Sequence, residues 1–159
     1  MSIVLVEAHD LIDAHHISSG VWQGSVPAHG TTLRDAGFTM LVLCAMEHQP
    51  SADNFPGIEV IHAPNDDDDS RRPTSNELRI AIDASQHVLR ALQAERQVLV
   101  TCWAGLNRSG LVSALALRKH LGISGSSAIK VVQMMRPKAL TNRMFQACLS
   151  RLPVPEPKL

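Results

Sequence analysis

Residues 98–117 read VLVTCWAGLNRSGLVSALAL, and the succession of textures in that stretch decides the fold. Val98 to Thr101 is a short apolar, β-branched run of the kind a buried strand takes. A turn follows from Cys102 to Arg108, broken open by Gly105. From Ser109 to His120 the apolar residues return at helical spacing. Strand, tight turn and helix in direct succession are the unit from which α/β sheets are built. In such sheets ligands bind beyond the carboxyl ends of the strands, and the turn at 102–108 lies at such an end. Cys102 is therefore either a small core residue that closes a strand or a nucleophile at the head of a helix.

Working outward, strands are predicted at Ile3–Val6, Val21–Gly24, Phe38–Cys44 (FTMLVLC), Glu59–Ala63 (EVIHA) and Gln97–Thr101. A short helix is predicted over Thr31–Ala36, closed by Gly37. The loop PNDDDDSRRP, 64–73, ends at Thr74 with Glu77 three residues on, a capping-box start for a helix running to about Arg96. Helices over Ser109–His120, Ser126–Arg136 and Asn142–Leu152 follow, and the tail PVPEPKL, 153–159, is Pro-rich and expected to be extended or frayed. Strands separated by helices imply an α/β fold with a largely parallel sheet, in a single domain over 1–152.

The composition fits that picture. The 159 residues carry 15 basic and 15 acidic side chains, and 45% are apolar. That length supports a core without covalent staples. A formal charge of zero gives no broad footprint for nucleic acid or an anionic membrane, although a local basic site remains possible. Three cysteines, Cys44, Cys102 and Cys148, suit a reducing compartment better than a disulfide framework. MSIVLVEAHD has no basic leader and meets Glu7 early, and no apolar run reaches membrane-spanning length, so the expectation is a cytoplasmic protein.

The chemistry follows from what an anion needs. A loop entering a helix offers converging backbone N–H groups and the positive end of the helix dipole. The span from Cys102 through Trp103, Ala104, Gly105, Leu106 and Asn107 to Arg108 is long enough to wrap one tetrahedral phosphate, and the planar fork of Arg108 can hold two of its oxygens. The same field favours the Cys102 thiolate. Ser109 can donate its hydroxyl to that sulfur when it becomes a leaving group. Gly105 to Gly110 is followed by Leu111, which rules out a Walker loop. This scheme calls for no cofactor and no metal.

C-W-A-G-L-N-R-S-G resembles the signature C-x-x-G-x-x-R-[ST] of cysteine-dependent phosphatases, and its neighbourhood resembles the dual-specificity branch. VWQGSVP is similar to that branch's early strand, and RPKALTNRMFQACL to its closing helix. The resemblance implies a central mixed sheet of about five strands flanked by helices, and hydrolysis of phosphomonoesters on proteins or peptides through a phosphocysteine. It also implies an acidic residue on the loop after the fourth strand, which protonates the leaving oxygen and later activates water. HAPND aligns best with that position, so Asp66 is the expected acid, with Asp67 second and Asp68 or Asp69 open if the loop is long. The unused carboxylates are expected to point outward, offset by Arg71 and Arg72.

Other residues carry weaker signals. Thr101 stands where the resembled family has His before the cysteine, so a less activated thiolate is expected. Cys44 in LCAMEH resembles a segment whose cysteine can form a reversible disulfide with the nucleophile; plain core packing is the alternative. Cys148 reads as packing. His9, Asp10, Asp13, His15 and His16 crowd together without metal-ligand spacing and read as a polar surface segment. Trp103 and Leu106 either shape the pocket rim or pack beneath it. Gly-x-Asn-Arg-[ST]-Gly also resembles RNA 5′-triphosphatases, and a phosphate-binding pseudophosphatase is the non-enzyme alternative.

Overall fold

The computed structural model describes residues 13–157. The strand expected at Ile3–Val6 lies outside them, as do His9 and Asp10. Five strands form one sheet in the order β1-β2-β5-β3-β4: β1 Ala14–Ser18, β2 Val21–Gly24, β3 Met40–Ala45, β4 Glu59–Asn65 and β5 Val98–Thr101. β1 and β2 are antiparallel, and the other three pairings are parallel, so the sheet is mixed and largely parallel as expected. The helices are α1 Thr32–Asp35, α2 Ser75–Gln93, α3 Arg108–Leu121, α4 Gly125–Met135 and α5 Arg143–Ser150.

Strand periodicity splits the core in two. Met40, Val42, Cys44, Val98 and Val100 face the layer built from α2 to α5. Leu41, Leu43, Leu99 and Trp22 face α1 and the loops around Phe38 and Phe55. Both faces of the sheet are covered, which is why β3 and β5 read as continuous apolar runs.

Two differences from the sequence reading have clear causes. Ala14–Ser18, read as polar surface, is an edge strand. Its alternation is hidden by a register shift between His16 and Ser18, which leaves Ala14 and Ile17 buried three residues apart. β4 runs past Pro64 to Asn65, because an edge strand tolerates a residue that donates no ladder bond.

α2 begins as expected. The Thr74 side chain accepts from the Glu77 N–H at 3.1 Å, and Glu77 Oε1 accepts from the Thr74 N–H at 2.9 Å. Arg71 donates to Glu77 and, with these capping bonds, holds its carboxyl down at about 2. α3 ends on Gly122, in the left-handed conformation that terminates a helix at little cost. Beyond Arg151 the described tail is irregular, and Arg118 Nε donates to the Pro153 carbonyl at 2.8 Å. No helix of the described residues is long and apolar enough to cross a membrane.

Candidate active site

β5 delivers Cys102 to the carboxyl edge of the sheet, and α3 starts six residues later with Arg108. Gly105 makes the turn between them possible. It adopts φ +70°, and a Cβ there would lie 2.3 Å from the Gly24 carbonyl carbon, so the loop rests directly on the end of β2. Cys102 is itself tied to that end, its N–H donating to Gly24 O at 3.3 Å.

Cys102 Sγ lies 3.2 Å from Ser109 Oγ, and both groups are buried. A thiolate can only accept, so in that state the Ser109 hydroxyl donates to it. Asn107 is the N-cap residue of α3 but makes no capping bond, since its side chain serves other partners. The first amides of a 14-residue helix are thus left for an anion.

Arg108 is only 7% exposed. Its Nη1 and Nη2 each donate to a Glu47 carboxylate oxygen at 2.6 Å, and Nη1 donates also to Asn65 O at 2.9 Å. Nε is buried without a partner. Burial works against the cation, but Glu47 and the nearby Cys102 and Asp67 charges outweigh it, and the guanidinium is held charged more firmly than usual. The bonds from Arg108 hold the Glu47 carboxyl below the ordinary glutamate range. An unpaired buried donor on a fixed cation is costly unless an anion takes it.

On the acidic loop the structure brings the second candidate, Asp67, to the cradle and not the first, Asp66. Asp66 turns away: its Oδ1 accepts from the Asp67 N–H at 2.8 Å, and its Oδ2 lies 3.7 Å from Arg71. Asp67 is the carboxylate drawn over the loop. Its Oδ2 accepts from Asn107 Nδ2 at 3.1 Å and its Oδ1 from Asn142 Nδ2 at 2.8 Å. Asp68 is taken by Ser70 and Arg71, and Asp69 is exposed. Arg71 pairs with both Asp66 and Asp68, so it does the offsetting expected of Arg71 and Arg72 together.

Trp103 is 58% exposed and belongs to the rim, whereas Leu106 is half-buried. Ala104 is exposed. Thr101 is buried, and its hydroxyl donates to Val42 O at 2.9 Å, a tie between β5 and β3. Cys44 is buried; burial first, then the neighbouring Cys102 charge, raises its thiol well above the ordinary range, with Arg108 opposing. Asp13 and His15 are not bystanders. Asp13 takes Arg136 in a two-pronged pair at 2.8 and 3.1 Å, and His15 Nδ1 lies 2.8 Å from Arg136 Nη1. Arg136 in turn donates to Gly105 O and Ala104 O.

Glu47, Asn65, Asn142 and Arg136 went unassigned in the sequence, and only Asn107 was marked, as a loop member. Arg136 and Asn142 both lie in RPKALTNRMFQACL, whose resemblance was their signal, and Asn142 also stands at a helix start. Its Oδ1 caps α5 through the Met144 and Phe145 amides while its Nδ2 reaches Asp67.

A thiol paired with a hydroxyl at the head of a helix whose first residue is a buried arginine defines a cysteine-dependent phosphatase. The surrounding five-stranded mixed sheet is the fold of that class. The sequence profile of the dual specificity phosphatase catalytic domain matches residues 21–152, and the chain belongs to that family.

Solved structures agree. Human DUSP28 is 26% identical with a TM-score of 0.73, covering 87% of this chain and 90% of its own. A mouse protein assigned to the dual specificity phosphatases and crystallised with zinc tungstate is 27% identical, also with a TM-score of 0.73, over 87% of this chain and 84% of its own. Tk-PTP in its active form is 25% identical with a TM-score of 0.70, over 89% and 96%. No protein of curated function matches the chain in sequence.

Proposed function

We propose that the chain hydrolyses phosphomonoesters on proteins or peptides through a phosphocysteine, without a metal ion, in a reducing compartment such as the cytoplasm. Cys102 attacks phosphorus, the loop amides and Arg108 hold the non-bridging oxygens, and the leaving oxygen takes a proton from Asp67. In the second step Asp67 accepts a proton from water, which displaces the sulfur while Ser109 stabilises the departing thiolate. We assign this role to Asp67, the second candidate on the loop, in preference to Asp66, because Asp67 is the carboxylate tied to the cradle.

The observation that carries this reading is Arg108: a cation clamped on one edge, with its Nε buried and unpaired beside the nucleophile. The mouse relative was crystallised with zinc tungstate, whose oxyanion has phosphate's shape. Trp103 and Met46, 58% and 57% exposed, lie just beyond the carboxyl ends of the neighbouring strands β5 and β3 and offer apolar surface on the side of the cradle. Such a surface favours an aryl monoester of the phosphotyrosine kind over a multiply charged ring, for which the loop has no lysine.

The test is p-nitrophenyl phosphate hydrolysis in EDTA by wild type and Cys102→Ser, followed by phosphotyrosine peptides, phosphoserine peptides and triphosphate-ended RNA. Wild-type turnover lost in Cys102→Ser, with phosphotyrosine preferred, is the expected result. Wild-type inactivity on every monoester would falsify the reading in favour of a pseudophosphatase, and activity on RNA ends alone would replace it with the triphosphatase.

A further inference from the structure

A loop that turns its amides toward an anion has a back as well as a front. In a trans peptide the C=O and N–H point in opposite directions, so each inward N–H requires the carbonyl before it to point away. Carbonyls facing the protein interior then need donors. Three consecutive ones, of Ala104, Gly105 and Leu106, find them outside the loop. Arg136 donates from Nε to Gly105 O at 2.6 Å and from Nη2 to Ala104 O at 3.1 Å. The Leu140 N–H reaches Leu106 O at 3.1 Å. Gln23 Nε2 bridges two of them, reaching Gly105 O at 3.0 Å and Leu106 O at 3.3 Å.

Gln23 is the unexpected member. It is fully buried in β2, paired in register with Val100 of β5 and two residues along from the Val21–Val98 pair. An amide there costs stability unless every polar atom is paired, and its Oε1 has no partner. A methionine or leucine would suit the core better. What the amide supplies is the orientation of two peptides whose N–H groups belong to Leu106 and Asn107.

We infer that Gln23 is a positioning residue of the phosphate cradle: by holding the Gly105 and Leu106 carbonyls behind the loop, it sets the Leu106 and Asn107 amides toward the anion. The inference rests on the phosphatase reading of the same site.

Gln23→Met keeps the volume and removes the donor. Circular dichroism and thermal melting check that it folds, and its melting point should match or exceed that of wild type, since the orphaned Oε1 is gone. Orthovanadate should nevertheless bind about tenfold more weakly, the size of one lost hydrogen bond, and KM should rise more than kcat falls. Vanadate affinity and KM equal to wild type in the folded variant would overturn the inference and leave Gln23 as packing.

A second readout uses the wild type alone. The Gln23 side-chain NH2 resonances should shift on vanadate binding as the carbonyls they hold polarise, and unmoved resonances would overturn the inference even if the variant does not fold. A wild type that neither binds vanadate nor turns over substrate is a different result, and overturns the phosphatase reading itself.

Discussion

Arg108 has one edge engaged and its Nε left unpaired, and the chemistry depends on that difference. Glu47 takes Nη1 and Nη2, leaving Nε for the substrate. Glu47→Gln keeps the shape but gives the guanidinium only one acceptor and sets an NH2 against it. KM for p-nitrophenyl phosphate should rise about five- to tenfold, with a smaller change in kcat. The pH dependence has a definite sign. The Glu47 carboxyl is held low by Arg108, so its contribution to stability is complete above the ordinary glutamate range and lost as pH falls through the lowered value. Thermal melting of wild type and Glu47→Gln should therefore differ near neutrality and converge in acid; a constant gap at all pH values would show that the carboxylate charge is irrelevant. The acidic loop is tested in the same way. Asp67→Asn should depress turnover of poor leaving groups by about a hundredfold or more, and Asp66→Asn by much less. The reverse order would return the acid to Asp66. At this scale Cys102, Gly105, Arg108 and Ser109 were legible because they lie within one turn of chain. Glu47 was not, since it meets Arg108 across 61 residues and nothing in LCAMEH marks it.

Between elements, register decides what meets what. β3 and β5 are adjacent and parallel, with Leu43 beside Thr101; Cys44 follows in β3 and Cys102 just past the end of β5. Neighbouring strands lie about 4.8 Å apart, within the reach of a disulfide. Peroxide would oxidise the Cys102 thiolate to a sulfenic acid, and Cys44 sulfur would then attack it, losing its proton as water leaves. Burial raises the Cys44 thiol, so in this scheme Cys44 would be the resolving partner and Cys102 would meet the oxidant first. Mass spectrometry of peroxide-treated wild type should show a Cys44–Cys102 link that dithiothreitol reverses, and Cys44→Ser should instead accumulate irreversibly oxidised Cys102. No link under conditions that inactivate the enzyme would leave Cys44 as core packing. The elements themselves were mostly readable: β3 and β5 are apolar along nearly all their length, and α2 announces itself by its capping box. β1 was not readable, because its bulge hides the alternation and its exposed His15 and His16 look like surface. Thr101 shows the same limit, as its hydroxyl is committed to Val42 on a strand 59 residues away.

Over the whole molecule the formal charge is zero, and the site does not concentrate what charge there is. Arg108 is neutralised by Glu47, Arg136 by Asp13, and Arg71 by Asp66, Asp68 and Glu77. A phosphate dianion approaching from a distance therefore meets arginines whose charge is already paired. Its binding energy comes from amides, the α3 dipole and the Nε of Arg108, all of which act at contact. Screening by salt weakens long-range attraction and hardly touches buried contacts. It follows that kcat/KM for p-nitrophenyl phosphate should change by less than about twofold between roughly 0.02 and 0.5 M sodium chloride. A steered site would lose about tenfold or more over that range. The measurement also bears on partners, because a chain that relied on a cationic surface to find anionic substrates would show that loss. If the rate holds, substrate selection rests on the contacts at the rim, where Trp103 and Met46 stand, and Trp103→Ala should then cost an aryl monoester more than an alkyl one.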